Sequence, residues 1–131
     1  MTHLLKITAD RKVEAIAWND EEDSLAQLYR ALSTDSVTVD MVEPAPHSRG
    51  DHITVWADED GWSHAAPANL YGTAYVGRPL LGTIAITARK PRNGDTVGLT
   101  DDQLREEEDY LIWAVTKFIA RYHAVQVTPS A

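Results

Sequence analysis

The sequence predicts an α+β fold in which a short helix and a long C-terminal helix cover one face of a mainly antiparallel sheet. Short β-rich runs separated by turn residues fill much of the chain, and two segments repeat apolar residues at helical spacing. The 131 residues show no internal repeat and no shift in composition that would mark a second domain. We therefore predict one domain over 1–131, with a frayed tail at 125–131.

The N-terminal third predicts a hairpin followed by the short helix. Residues 4–8 and 13–18 are β-like runs around a polar turn. Ser24 and Gln27 have the spacing of a capping box, and the acidic residues before them favour the positive end of a helix dipole. A helix is predicted at about 24–33, because one face collects apolar residues at steps of three and four: Leu25, Leu28, Tyr29 and Leu32.

Three further strands are predicted in the middle of the chain, at 37–43, 53–57 and 83–88. Pro44 and Pro46 are expected to end the first of them. Asp60-Gly61 is a two-residue hairpin signal, so the strand at 53–57 is expected to turn there into a partner strand.

The block from 53 to 86 also carries a distinctive order of motifs. An acidic turn at 58–61 is followed by Pro67-Ala68-Asn69, then Leu70-Tyr71-Gly72, then a Pro-Leu-Leu-Gly run at 79–82. In this order the chain resembles the family catalogued as domain of unknown function 3846, over about residues 4–88. The resemblance implies a phage or mobile-element setting and a structural signature at Pro67, Asn69 and Gly72. The resemblance implies no activity. The long C-terminal helix is expected to be an addition to the domain that the family shares.

Thr100 and Gln103 form a second capping-box pattern, which predicts a long helix at about 101–123. At about 100° per residue, Trp113 points away from the apolar stripe, with Tyr110 and Lys117 beside it. An exposed aromatic on a helix is typical of an interface; the alternative is that the sheet and a loop cover the helix from two sides. The stripe itself is expected to face the core: Leu104, Leu111, Val115, Phe118 and Tyr122, with Ile112 and Ile119 at its edge.

Composition and motifs exclude several kinds of chemistry. The net charge of −8 argues against direct binding of a nucleic-acid backbone, and the chain has no cysteine. The five histidines follow no metal-ligand spacing, and neither a phosphate-binding glycine loop nor a nucleophile elbow is present. We therefore expect a non-enzymatic protein without metal or cofactor. With no apolar run of about 20 residues and no signal-peptide profile, a cytoplasmic location is expected, the host cytoplasm for a phage gene.

The leading functional expectation is a small acidic accessory protein that binds a host or phage macromolecule and inhibits a host protein. A homodimer through the C-terminal helix is a further expectation, and the acidic runs could instead imitate a nucleic-acid backbone. Glu106 to Glu108 are expected on a solvated helix face. The interface candidates are Tyr110, Trp113, Lys117, Glu106, Glu107 and Glu108.

The alternative function is binding of a small molecule or nucleotide after the acidic turn. Aromatic and polar side chains that converge where strands end are typical of small-ligand sites. The candidates for such a pocket are Trp62, His64, Asn69, Tyr71 and Arg78.

Overall fold

The computed structural model describes residues 1–33, 42–61 and 65–127, with the helical backbone alone for 122–127. It confirms the α+β fold class, with helices close to both predicted positions. The elements in chain order are β1 Thr2–Ile7, β2 Val13–Trp18, α1 Ser24–Leu32, β3 Val42–Ala45, β4 Ile53–Asp58, α2 Leu70–Val76, β5 Ile84–Arg89, β6 Thr96–Val97 and α3 Asp101–Val127.

The strands form one antiparallel sheet in the order β2-β1-β5-β4-β3, and β6 pairs with the end of β5. Ile86 of β5 lies at the centre, opposite Leu5 of β1 on one side and Val55 of β4 on the other. β5 is buried along five of its six residues because it has neighbours in the sheet and packing on both faces.

Helices cover both faces of this sheet. Leu4 and Ala85 point toward α1, whereas the adjacent Leu5 and Ile86 point toward α2 and α3. The expectation that both helices cover the same face is therefore wrong. Successive residues of a strand face opposite ways, and β1 and β5 are apolar at successive positions.

The hairpin predicted at Asp60-Gly61 is wrong. β4 pairs with β3 on one edge and with β5 on the other, so both its edges are already filled. After the turn the chain leads to α2, which the sequence analysis did not predict. Of the predicted partner strand, residues 62–64 lie outside the described residues.

The strand predicted at 37–43 is described only from Val42 onward, because 34–41 lie outside the described residues. β3 continues through Pro44 to Ala45, so Pro44 does not end it. Proline is tolerated there because β3 is the outermost of the described strands, and proline is accommodated on an edge strand.

The two predicted helix starts have different outcomes. At α3, Thr100 N–H donates to Gln103 Oε1 at 2.9 Å and Gln103 N–H donates to Thr100 Oγ1 at 3.2 Å, which confirms the capping box. At α1 the cap is Asp23, whose carboxylate accepts from Ala26 N–H. Gln27 instead bonds the backbone of Asn19, so the Ser24–Gln27 pairing is wrong.

Helix α3 is longer and less covered than predicted. Its backbone is helical to Val127, four residues beyond the predicted end at 123. Leu111 is buried, but Phe118 is 37% exposed and Ile112 and Ile119 are 65% and 56% exposed. The predicted core stripe therefore ends near Val115, and residues 116–121 are exposed. Among the described residues, no helix is both long and apolar enough to cross a bilayer.

Candidate functional site

The start of α3 is fixed to the sheet. His3 and Leu99 exchange two backbone hydrogen bonds, His3 N–H to Leu99 O at 2.9 Å and Leu99 N–H to His3 O at 2.6 Å. The next residue, Thr100, caps the helix. This anchoring next to β1 determines which residues of α3 meet α2 and which face solvent.

Glu107 lies at the centre of a buried polar cluster. Its carboxylate accepts from Arg49 through two parallel bonds, Nε to Oε1 at 2.7 Å and Nη2 to Oε2 at 3.0 Å. The Tyr75 hydroxyl donates to the same Oε1 at 2.5 Å. Glu107 is fully buried and the Arg49 side chain is 18% exposed. The cluster therefore joins the β3–β4 loop, α2 and α3.

The charges in this cluster are matched. The hydrogen bonds that Arg49 donates to Glu107 raise the pKa of the Arg49 guanidinium, so Arg49 stays charged. Burial, with the hydrogen bond and charge of Glu107, raises the pKa of the Tyr75 phenol, so Tyr75 stays protonated. The expectation that Glu107 lies on a solvated face is wrong. Its oxygens contact protein partners and have no exposed surface, so the carboxylate belongs to the interior and not to a solvated face.

An aromatic stack leads from this cluster to the surface. The Arg49 guanidinium carbon lies 4.0 Å from the centre of the Tyr110 ring, and the Tyr110 and Trp113 ring centres are 5.5 Å apart. Tyr75 meets the Tyr110 ring edge-on at 5.3 Å. Lys117 Nζ lies 4.7 Å above the Trp113 ring. Trp113 therefore contacts Tyr110 and Lys117 although it is 53% exposed.

Trp113 is the centre of a strip of α3 that we call the Trp113 face. At about 100° per residue, its members fall within about 40° of Trp113 around the helix axis. Glu106 is 65% exposed and lies 3.8 Å from Arg49 Nη2. The Trp113 face consists of Glu106, Asp109, Trp113, Lys117 and Ala120. All five residues are exposed.

Beside the Trp113 face, α2 and α3 enclose a shallow groove of about 320 Å³. Its residues, all within the described part of the chain, include three cations and no carboxylate, in a protein of net charge −8. The groove is therefore a local basic, aromatic surface. We call it the α2–α3 groove; its main side chains are Arg78, Tyr110, Trp113, Lys117, Phe118 and Arg121.

Of the residues proposed for a small-ligand pocket, the three that the structure describes do not line a common cavity. Asn69 is fully buried, and its amide donates to the carbonyls of Ile7 and Gly82 and accepts from Gly72 N–H. Tyr71 lines an apolar groove with Ile112, whereas Arg78 belongs to the α2–α3 groove. Trp62 and His64 lie outside the described residues.

Asn69 and Gly72 have a structural role that explains their spacing. Asn69 caps α2 and ties it to β1. A Cβ at Gly72 would lie 2.9 Å from Ile84 Cδ1 and 3.0 Å from Asn69 Cγ, so even a methyl group would require these side chains to shift. The signature at Pro67, Asn69 and Gly72 therefore fixes how α2 meets the sheet.

Arg49, Tyr75 and His47 were not singled out by sequence reasoning. Arg49 and Glu107 are 58 positions apart, and only the fold brings them together. His47 Nδ1 accepts from Arg49 N–H at 2.9 Å, and burial lowers the pKa of the His47 imidazole. His47 thus helps to shape the loop that presents Arg49.

In the described part of the chain, no three histidine, aspartate or glutamate side chains are grouped to hold a metal ion. The family model for Domain of unknown function (DUF3846) matches residues 1–112, and the chain belongs to this family. The match extends beyond the predicted 4–88 and includes the first half of α3. No match was found among curated proteins or among solved structures.

Proposed function

We propose that this chain is a non-enzymatic accessory protein that acts by binding another protein, with the Trp113 face as its contact surface. In the phage or mobile-element setting that the family resemblance implies, the partner is a host or phage protein met in the host cytoplasm. Inhibition of a host protein is the effect that best fits a small acidic binder. The observation that carries the proposal is Trp113, a large ring that is exposed yet fixed in position.

The fixed position of Trp113 matters because ordering a side chain opposes binding. Tyr110 and Lys117 already restrict the ring, so a partner gains its contact area at a smaller loss of entropy. Tryptophan, tyrosine and arginine are the residues that dominate binding energy in protein interfaces. The α2–α3 groove adds Arg78 and Arg121 to the same region.

The charges of the α2–α3 groove indicate the chemistry of the partner. Arg78, Lys117 and Arg121 favour carboxylates, and Trp113 and Phe118 favour an apolar side chain between them. A partner segment that combines acidic and apolar residues fits this surface best. Electrostatic attraction of this kind speeds encounter and selects the partner.

The proposal is tested by affinity capture from the natural host with tagged wild-type protein and Trp113→Ala. Ile112→Ala is the matched control, since Ile112 is 65% exposed on the same helix but about 100° away from Trp113. We expect wild type and Ile112→Ala to capture a host or phage protein that Trp113→Ala does not capture. When that protein is purified, we expect it to bind wild type and Ile112→Ala more tightly than Trp113→Ala. Equal affinity of all three chains for the purified protein would contradict the proposal.

A further inference from the structure

We infer that the Trp113 face binds the Trp113 face of a second copy of this chain, with the two α3 helices antiparallel. The inference rests on the proposed function, because it uses the same contact surface and names its occupant. A foreign protein that used this surface would compete with the second copy.

The first point is that the spacing of the face permits a symmetric pair, as helical periodicity does around any residue of a helix. The Trp113 face is built in steps of three, four, four and three residues, which read the same in both directions from Trp113. Two antiparallel helices related by a twofold axis at Trp113 therefore place each member of the face opposite a member of the other copy. The spacing is also the one that aligns side chains along a helix–helix seam.

The second argument is the distribution of charge. Glu106 and Asp109 precede Trp113, whereas Lys117 follows it and Arg121 lies one turn further. At about 1.5 Å per residue, Asp109 and Lys117 lie about 6 Å on either side of Trp113. An antiparallel pair thus sets Asp109 of each copy against Lys117 of the other, and Glu106 near Arg121.

These charges are available for such contacts. Among the described residues, Asp109 and Arg121 have no ion-pair partner, and both are exposed. Lys117 lies over the Trp113 ring without a carboxylate partner in the same part of the chain. The two copies would therefore form new ion pairs without breaking existing ones at these three residues.

Other arrangements fit the face less well. A parallel pair would set Glu106 and Asp109 against their own copies, where like charges repel. A nucleic-acid backbone would meet the same two carboxylates along the strip. In the antiparallel arrangement the dipoles of the two α3 helices point in opposite directions, which is electrostatically favourable. Residues 116–121 of α3 are exposed, so this end of the helix is free to lie along a second copy.

The test is sedimentation equilibrium of the full chain at low salt, with Asp109→Lys, Lys117→Asp and a mixture of the two. Each variant alone places like charges at both contacts, so we expect its dimer to be weakened by about tenfold or more. In the equimolar mixture the lysine introduced at position 109 meets the aspartate introduced at position 117, and the two remaining native residues also pair. We expect the mixture to dimerise as strongly as wild type.

Ile119→Asp is the control, because Ile119 is 56% exposed on α3 but lies about 120° from Trp113 around the axis. We expect it to dimerise as wild type does, and high salt to weaken every dimer by screening. A wild-type chain that stays monomeric at all concentrations, or single variants that dimerise unchanged, would overturn the inference.

The outcomes separate this inference from the proposed function. If the chain is monomeric and Trp113→Ala abolishes binding of the purified foreign partner, the inference is contradicted and the proposed function is supported. If the single variants weaken the dimer and their mixture restores it, while Trp113→Ala leaves binding of the foreign partner unchanged, the inference is supported and the proposed function is contradicted.

Discussion

Glu107 shows how one buried carboxylate joins three parts of the chain. Glu107→Gln removes the charge opposite Arg49, which is then left largely buried, with Glu106, 3.8 Å away, as its remaining carboxylate among the described residues. Removing one member of a buried ion pair leaves the other uncompensated, so we expect the free energy of unfolding to fall by about 3 kcal/mol. Urea denaturation measures this change.

Glu106→Gln is the matched control for this prediction. Glu106 is the neighbouring residue and is 65% exposed, so its loss is expected to change the free energy of unfolding by about 0.5 kcal/mol or less. Equal unfolding midpoints for the two variants would show that the Arg49–Glu107 pair does not stabilise the fold.

Asn69 offers a second test at this scale. In Asn69→Asp the amide nitrogen that donates to Ile7 O and Gly82 O becomes an oxygen, which faces two carbonyl oxygens in the core. We expect the free energy of unfolding to fall by about 2–3 kcal/mol, as for buried acceptors left without a donor. Thermal denaturation checks this. Unchanged stability together with lost binding of a small ligand would instead favour a pocket at Asn69.

His47 makes the stability depend on pH. Burial lowers its pKa in the folded chain below the ordinary value of 6.5, so the unfolded chain binds this proton more readily. The contribution is therefore present above that value and is lost as the pH falls through and below it. We expect His47→Gln to have a flatter profile of unfolding free energy between about pH 7 and about pH 5. Identical profiles for wild type and variant would contradict this.

At the scale of elements, the sequence predicted what local patterns determine. The capping box at Thr100 placed the start of α3, and the hydrophobic runs placed β1, β4 and β5. α2 was missed because its seven residues are too short for a periodic signal, and a buried cap at Asn69 specifies it. The Asp60-Gly61 signal failed because strand pairing across the whole chain overrode a local turn preference.

The structure of α3 gives a prediction about its second half. A chain that ends at Thr116 loses Lys117, Phe118 and Arg121, which are all exposed. We expect it to fold with a free energy of unfolding within about 1 kcal/mol of the full chain, and to lose self-association. Urea denaturation and sedimentation of the shortened chain measure both quantities.

A chain that ends at Tyr110 is the contrasting control. It also loses Leu111 and Ala114, which are buried against the sheet and α2, and we expect it to be destabilised by several kcal/mol. If the chain ending at Thr116 were equally destabilised, the second half of α3 would belong to the core and not to a contact surface.

For the whole molecule, an acidic chain presents one basic and aromatic surface beside α3. The sequence placed Tyr110, Trp113 and Lys117 on the same side of the helix, because helical geometry alone determines their relative directions. It could not show that Glu107 is buried or that Arg49 stacks on Tyr110. Both features depend on Arg49, which lies in a loop 58 positions before Glu107. The net charge of −8 likewise did not reveal that Arg78 lies beside Lys117 and Arg121.

The central claim is that Trp113 serves contact and not the fold, and Trp113→Ala tests it most directly. Both the dissociation constant for self-association and the free energy of unfolding of dilute monomer are measured for variant and wild type. We predict association weaker by about tenfold or more, with the free energy of unfolding lower by only about 1 kcal/mol, since the ring is half exposed. A loss of about 3–5 kcal/mol with unchanged association, as for a core tryptophan, would contradict the claim.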